Sequence, residues 1–198
     1  MIGATAEEAI AEKEQFDGEL LSISSQMDDF EGYPESHAKR IASLADAIAA
    51  AFNIGHHDRF CLQQAALVHD LGEMDMGREY ISLGRVLSPD ERVDLQRHPV
   101  IGEQSTSKLG LSRAVQLIVR WHHEWWNGLG YPDGLEGSQI PLAARILRVA
   151  DTYAALVSPR PYRTAMTPEA ARKYMVEWAG IEFDPDVVKA FLSPRAAG

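Results

Sequence analysis

The sequence predicts an all-α fold, and two observations carry that prediction. Apolar residues recur at helical spacing along nearly all of the 198 residues, and no alternating strand pattern persists. Helix-start and helix-stop residues separate these apolar stretches, without internal repeats or low-complexity segments. A chain of this length is typical of one domain, so we expect a helical bundle with at most a small appendage.

The first predicted element is an acidic amphipathic helix over residues 5–30. Its apolar stripe comprises Phe16, Leu20, Ile23, Met27 and Phe30. Gly32-Tyr33-Pro34 ends the helix. An exposed stripe predicts a helix that forms a homodimer or links to another domain, and folding back onto the chain's own core is the alternative. We therefore divide the chain into residues 1–31, the N-terminal helix, and residues 32–198, the main domain.

Capping residues mark the remaining elements. In chain order these are a helix that Ser36 caps and that runs through Phe52, a helix starting at Asp58, an irregular stretch over 75–87, a helix capped by Ser88 that His98-Pro99 bends or breaks, a helix over 111–124, a helix from Ile140 to Val157, a helix capped by Thr167, and a last helix starting at Asp184-Pro185. The glycine-rich segment NGLGYPDGLEG, residues 127–137, predicts a loop.

Composition limits the classes of partner and compartment. The net charge of −10 disfavours binding to DNA, RNA or anionic lipid, because neutralising phosphates needs clustered basic residues. A single cysteine, Cys61, fits a reducing compartment. No apolar run reaches the roughly 20 residues of a membrane span, and the acidic N-terminus is unlike a signal peptide. We expect a cytoplasmic protein that does not enter a membrane.

Candidate metal ligands follow three apolar runs. His69-Asp70 follows QAALV, His122-His123 follows the segment AVQLIVRW, and Asp151 follows ILRVA. A buried ionised carboxylate is costly unless it is paired or bound to a metal. The alternative for the first pair is an aspartate that caps a turn and a histidine that bonds a backbone carbonyl. Imidazole and carboxylate together, without thiolates, suit Fe, Mn or Zn.

Adjacent histidines on a helix point about 100° apart, so His122 and His123 cannot easily chelate one ion in the same way. Each could serve one of two neighbouring metals, or one could ligate while the other contacts substrate. A carboxylate that bridges two metals would neutralise both. A second histidine pair, His56-His57, stands between Gly55 and Asp58, and we interpret it as exposed helix-start chemistry.

Several separated motifs give residues 33–193 a resemblance to the HD-GYP family, a branch of the HD-domain metal-dependent phosphohydrolases. In order they are HDLG at 69–72, HPVIG at 98–102, HHEWWNGLGYPDGL at 122–135, IPLAARILRVADTYAAL at 140–156, RPYR at 160–163 and FDPDVVKAF at 183–191. The resemblance implies an all-α core that binds two or three metals and hydrolyses cyclic dinucleotides, chiefly cyclic di-GMP, in bacteria.

The resemblance also implies a ligand set. One metal would take His37, His69, Asp70 and Asp151, and the second would share Asp70 and take His98, His122 and His123. A water or hydroxide between the metals would be the nucleophile, since two cations lower its pKa and stabilise a phosphorane-like transition state.

Further positions match parts of the family that contact substrate or partners. Arg160 and Arg163 match the basic positions that contact phosphate, and their alternative is solvated surface charge. Tyr131, in a loop shaped by glycines and Pro132, or a tryptophan of the same segment would stack on a guanine or hold the loop's shape by packing. Members of the family are also thought to use this loop for protein partners.

Two positions depart from the family pattern. Glu73 stands where the family has lysine, on the helical face of His69 and Asp70. It either orients a bound water or a ligand as a supporting catalytic carboxylate, or it impairs turnover and leaves a sensor of cyclic dinucleotides.

The second departure concerns the number of metals. Members with three metals carry a glutamate four residues before the first ligand histidine, where this chain has Tyr33, and Glu31 and Glu35 are out of register with that position. We therefore predict two metal ions, most readily Fe or Mn, with Zn, Ni, Co or Mg as other options.

Overall fold

A computed structural model describes residues 6–33, 36–83, 85–159 and 164–193, with side chains from Asp17 onward, so that Phe16 of the predicted stripe lies outside them. Their α-helices are α1 (Ala6–Glu31), α2 (His37–Ala49), α3 (His56–Leu67), α4 (Leu71–Met76), α5 (Glu79–Ser82), α6 (Pro89–Leu95), α7 (His98–Lys108), α8 (Arg113–Trp121), α9 (Leu142–Leu156), α10 (Pro168–Glu177) and α11 (Pro185–Phe191). Two isolated bridges are the only strand-like pairings in these ranges. The predicted all-α fold is confirmed.

Helices α2, α3, α8 and α9 pack around a common apolar core. Ile41, Leu62, Val119 and Leu147, one from each helix, have no solvent-exposed surface. Helix α4 packs closely on α7, where Gly72 allows the contact: a Cβ there would lie 2.0 Å from the His98 carbonyl oxygen. This packing brings the end of α3 and the start of α7 together.

Helix α1 folds back onto this core. Leu20 and Met27 of its apolar stripe are buried, and the helix contacts α2, α3 and α4. Its Asp28 accepts a hydrogen bond from the Ala38 backbone N–H at 3.1 Å. Asp28 therefore caps α2, and the predicted cap Ser36 makes no side-chain capping bond. The correction has a tertiary cause, because Asp28 reaches the helix end from another element.

Several helix ends differ from the sequence prediction. Helix α3 begins at His56 rather than Asp58, and the stretch predicted as irregular, 75–87, contains α5. The break at His98-Pro99 is present, since α6 ends at Leu95 and α7 begins at His98. Helix α8 ends at Trp121 rather than residue 124, because the chain turns there into the loop that follows. Within the described ranges no helix combines the length and apolar character that crossing a bilayer requires.

Candidate metal centre

Most of the predicted ligands lie at or next to helix ends, and the packing of the helices brings them together. His69 and Asp70 lie between α3 and α4, His98 starts α7, and His122 and His123 follow α8. His69, His98 and His122 are almost fully buried, at 0%, 1% and 0% exposure. Asp70, His98, His122 and His123 each direct one ligand atom so that these atoms lie within 4.8 Å of one another.

Asp70 is the centre of this cluster. Its Oδ2 lies 3.1 Å from His69 Nε2, and its Oδ1 lies 3.2 Å from His98 Nε2 and 3.4 Å from His122 Nε2. One carboxylate thus faces three histidines from two sides. Among the described residues, Asp70 Oδ1 and His69 Nε2 are buried without a hydrogen-bond partner that satisfies both distance and angle, as expected for atoms placed for an ion.

The same three histidines share one orientation. Each places Nδ1 near the carbonyl oxygen three residues earlier, at 3.0 Å for His69, 2.8 Å for His98 and 2.6 Å for His122. A carbonyl oxygen only accepts, so Nδ1 carries the proton and the Nε2 lone pair faces Asp70. Histidines that bind metals are commonly held in this way. The residues present therefore fit divalent ions. For His69 the sequence offered a backbone carbonyl bond as the alternative to metal binding, but that bond uses Nδ1 and leaves Nε2 for a metal.

His123 is held differently. Arg148 Nη1 lies 2.7 Å from His123 Nδ1, and a guanidinium only donates, so Nδ1 accepts. Tyr131 stacks on the His123 ring, with centroids 4.8 Å apart at 20°. The ring also lies 4.1 Å from that of His122, so both histidines reach one site because the chain has left the helix. Tyr131 thus packs on a candidate ligand.

Asp151, His37 and two glutamates also lie near His69 and Asp70. Asp151 Oδ1 lies 3.8 Å from His69 Nε2. His37 is 2% exposed and stacks on Tyr33, with ring centroids 3.6 Å apart. Among the described residues, neither Asp151 nor His37 belongs to a group of ligand atoms as tight as the one around His98. They lie beside the first predicted metal position without surrounding it.

Glu31 and Glu73 form a second compact group with Asp70, again with ligand atoms within 4.8 Å of one another. The sequence register sets Glu31 apart from His37. That argument fails because α1 ends at Glu31 and the chain turns at Gly32, which has a φ of +77°, so no common helix relates the two residues. The number of ions remains a prediction. Glu73 keeps its place beside Asp70 although α3 and α4 are separate helices.

Burial and charge act together on the pKa values of the site. Burial alone would lower the pKa of His69, but Asp70 and Asp151 raise it to about 10. Burial would raise the pKa of Asp70, but the three histidines hold it well below its ordinary range. Burial and the charge of Asp70 raise the pKa of Glu73. The centre is thus a concentrated negative charge that draws a cation, or protons in its place.

The pKa values of two neighbouring histidines shift in the opposite direction, downward. Burial and the proximity of His69 lower the pKa of His37 to about 3. Burial, then His122 and Arg148, lower the pKa of His123 well below its ordinary value. These rings are therefore neutral near pH 7, which is the form that binds metals. The lone pair of neutral His123 is at Nδ1 and accepts from Arg148, so binding a metal would require His123 to give up that bond or the proton on Nε2.

The glycine-rich loop is built around the buried side chain of Glu124. Its carboxylate accepts backbone N–H bonds from Asp133, Gly134 and Leu135 at 2.7–3.1 Å. Gly130 passes so close to the chain that a Cβ would lie 2.2 Å from the Trp125 nitrogen. These contacts give the loop a fixed shape beside His123. Sequence reasoning did not single out Glu124, although its place directly after the histidine pair was a signal.

Arg148 was also missed, since it stands in an apolar run, where its charge was the available signal. The predicted phosphate contacts Arg160 and Arg163 lie outside the described residues. By contrast His56 and His57 are exposed in the first turn of α3, as the sequence predicted.

An all-helical bundle with histidines and aspartates at its helix ends defines a class of metal-site proteins. The chain belongs to the HD-domain family, whose model, described as HD domain, matches residues 22–187. The resemblance to its HD-GYP branch is likewise confirmed.

Relatives extend this assignment. The chain is 35% identical over 188 residues to the cyclic di-GMP phosphodiesterase response regulator RpfG of Xanthomonas campestris, covering 93% of this chain and 50% of that protein. It is 32% identical over 196 residues to a cyclic di-GMP phosphodiesterase of Thermotoga maritima, covering 97% and 53%. The chain thus spans about half the length of these relatives.

A solved structure agrees with the fold. The crystal structure of the Vibrio cholerae cyclic GMP-AMP-specific phosphodiesterase V-cGAP3 superposes with a TM-score of 0.72 at 22% identity, over 90% of this chain and 49% of that one. At this identity the likeness concerns the fold.

Proposed function

We propose that the protein is a metal-dependent phosphodiesterase that hydrolyses a cyclic dinucleotide, with cyclic di-GMP as the first substrate to test. The observation that carries the proposal is the Asp70 carboxylate facing three histidines whose Nε2 lone pairs are available for a metal. The names of the relatives support the same reaction. The leading reaction opens one phosphodiester bond of the ring to give a linear dinucleotide.

In this proposal Asp70 would bridge two ions. The first ion would also be bound by His37, His69 and Asp151. The second ion would also be bound by three other histidines, namely His98, His122 and His123. We propose Fe or Mn as the ions, with Zn, Ni, Co or Mg as other options, because neutral imidazole and carboxylate accept several divalent metals. Glu31, Asp70 and Glu73 form a further group of candidate ligands, so the number of bound ions per chain has to be measured by metal analysis.

Bound divalent ions would supply a nucleophile from water at neutral pH and would stabilise the charge that develops on the phosphate. The protein's own contribution is positioning. Backbone carbonyls orient three histidines, and Arg148 and Tyr131 hold His123. Arg160 and Arg163 would contact the phosphates of the substrate. Glu73, protonated or charged, stands beside Asp70 where it could orient a water or a ligand.

Two rival functions are tested beside the proposed one. A charged Glu73 where the family has lysine would place negative charge near the scissile phosphate and impair turnover, which favours a cyclic-dinucleotide sensor. The raised pKa of Glu73 favours its neutral form and so weakens this repulsion. The other rival is an HD-type phosphohydrolase that acts on a mononucleotide. The set of histidines and aspartates around Asp70 favours catalysis, because binding alone does not need it.

The deciding experiment incubates Mn- or Fe-loaded protein with cyclic di-GMP, a mixed cyclic dinucleotide, a mononucleotide and bis(4-nitrophenyl) phosphate. We expect linear product from a cyclic dinucleotide, detected by chromatography. Tight binding without product would support the sensor, and a preference for the mononucleotide would support the other rival. A protein that neither binds nor hydrolyses any cyclic dinucleotide would contradict the proposal.

Location and protein partners belong to the same proposal. We propose a cytoplasmic location and a bacterial origin, in keeping with the single cysteine and with the relatives. Leu129, 75% exposed at the tip of the glycine-rich loop, is a candidate contact for a protein partner. A homodimer through α1 also remains a prediction, and analytical ultracentrifugation of the full chain tests it.

A further inference from the structure

A cavity of about 340 Å³ adjoins the metal centre. This volume lies within the ~300–1,000 Å³ range typical of small-molecule sites. Its walls come from α9, from α10 with the turn that follows it, and from Trp125, which stands two residues after His123. The cavity is therefore built by the elements that carry Asp151 and the histidine pair.

Three aromatic side chains form one part of the wall. Tyr174 and Trp178 stack with ring centroids 5.6 Å apart at 25°. Trp125 meets Trp178 edge to face, at 6.0 Å and 78°. Flat aromatic surfaces of this kind stack on nucleobases, and such stacking contributes measurably to the binding of single-stranded nucleic acids.

The polar part of the wall consists of Arg148, Glu182 and Thr152. Arg148 Nη2 donates to Glu182 Oε1 at 2.5 Å. Arg148 Nε and Thr152 Oγ1 are buried and have no hydrogen-bond partner within the described part of the chain, which is unusual for polar atoms. A guanidinium can donate to the O6 acceptor of guanine, and a carboxylate beside it can accept from the N1–H and N2–H donors of the same edge.

The cavity and the metal centre share two residues. Asp151 lines the cavity and lies 3.8 Å from His69 through Oδ1. Arg148 Nη1 lies 3.6 Å from Asp151 Oδ2 and 2.7 Å from His123 Nδ1. A base in the cavity would therefore have its sugar and phosphate directed toward the candidate ligands.

We propose that this cavity binds one guanine base of the cyclic dinucleotide, stacked on the Trp125, Tyr174 and Trp178 wall with its polar edge toward Arg148 and Glu182. This inference rests on the proposed function, because it assigns a base site to the same substrate. It predicts that specificity for the base is set by α9 and α10 rather than by Tyr131, whose ring packs on His123.

The test fills the cavity without touching a candidate ligand. Ala155, on α9, lines the cavity, and Ala155→Leu would occupy part of it. The matched control is Ala143→Leu, the same change on the same helix, at a separate cavity near the starts of α3 and α8. Kinetics with cyclic di-GMP, cyclic di-AMP and bis(4-nitrophenyl) phosphate, and quenching of tryptophan fluorescence by cyclic di-GMP, are measured on metal-loaded protein. Circular dichroism checks folding, and Tyr174→Leu provides a second variant.

We expect Ala155→Leu to lower the ratio of kcat/KM for cyclic di-GMP to that for bis(4-nitrophenyl) phosphate about tenfold, the size of one lost stacking contact. Fluorescence quenching should weaken to match, and the preference for cyclic di-GMP over cyclic di-AMP should fall. Ala143→Leu should leave the ratio within about twofold, as is usual for a distant change.

Two results would overturn the inference while leaving the proposed function in place. One is an unchanged substrate ratio in folded Ala155→Leu and Tyr174→Leu, and the other is wild-type protein that hydrolyses both cyclic dinucleotides equally well. Wild-type protein that neither binds nor hydrolyses cyclic di-GMP would overturn both. Quenching without hydrolysis, lost in Ala155→Leu and kept in Ala143→Leu, would support the base site in a protein that does not turn over.

Discussion

The chain contains two pairs of adjacent histidines whose surroundings differ in almost every respect. His56 and His57 are exposed in the first turn of α3, where His57 Nε2 lies 3.7 Å from Cys61 Sγ. His122 is fully buried, and His123 is held by Arg148 and Tyr131. The same dipeptide thus forms the exposed start of a helix at one place and part of a candidate metal centre at the other.

The difference follows from what precedes each pair. Gly55 ends an irregular segment, so nothing drives the first pair inward. The second pair follows α8, whose Val115, Ile118 and Val119 are buried, and the chain leaves the helix at His122. A polar residue at the end of a buried helix must satisfy its polar atoms locally, and a bound ion is one way to do so. The position of the pair along the element therefore says more than its composition.

The largest expected effect separates the two pairs directly. His122→Ala removes an Nε2 that faces Asp70, and we expect kcat to fall by at least about 100-fold with a loss of bound metal. His57→Ala, with the same change of side chain, should leave kcat and metal content within about twofold. Hydrolysis assays and elemental analysis of both proteins provide the measurement. Equal losses in the two variants would contradict the comparison.

The next effect concerns whether the buried centre can turn over substrate. If Glu73 supports a ligand or a water, Glu73→Lys should lower kcat about tenfold or more, because such supporting groups contribute on that scale. Glu73→Gln is the control that removes the charge and keeps the shape. The metal-loaded hydrolysis assay decides. A rise in activity for the lysine variant would instead favour impaired turnover in the natural chain.

A third prediction compares the glycines beside the two pairs. Gly130→Ala would place a Cβ 2.2 Å from the Trp125 nitrogen, so we expect the free energy of unfolding to fall by about 1–3 kcal/mol. Gly55→Ala meets nothing within 4 Å and should change it by less than about 0.5 kcal/mol. Urea unfolding of the metal-free proteins measures both values. Similar stabilities for the two variants would show that the loop is not tightly packed.

The smallest predicted effect is a pH dependence of protein stability that originates from the burial of His37. His37 has a folded pKa of about 3, below the value of about 6.5 expected when it is unfolded, so the unfolded chain binds more protons between these values. Its contribution to stability is present above pH 6.5 and is lost as the pH falls toward 3. From about pH 7 to about pH 5.5, metal-free wild type should lose about 1 kcal/mol more than His37→Gln.

Urea unfolding at the two pH values tests this, and His57→Gln controls for the loss of a histidine from the exposed pair. If the free energy of unfolding has the same pH dependence in wild type and His37→Gln, the lowered pKa of buried His37 is refuted as a source of that dependence.

Much of the site could be predicted because its residues share a local signal. His69, Asp70, His122 and Asp151 each follow an apolar run, and those runs are buried in the structure. Other residues join the site through contacts that the sequence does not show. Glu31 reaches Asp70 from the end of α1, and Arg148 reaches His123 across 25 positions of the chain.

Caps show the same division. Ser88 caps α6 with a reciprocal capping box, as its sequence predicts, because its partner Glu91 lies only three residues further along the chain. Asp28 caps α2 in place of Ser36, and it does so from a different helix.

The sequence by itself therefore determined the all-α class, the order of the motifs and the residue types of the candidate metal centre. These depend on helical periodicity and on contacts between near neighbours in the chain. Only the tertiary structure decided that Glu31 joins Asp70, that Arg148 holds His123, and that an aromatic cavity adjoins Asp151. Such contacts depend on how separate helices pack, which local spacing does not encode.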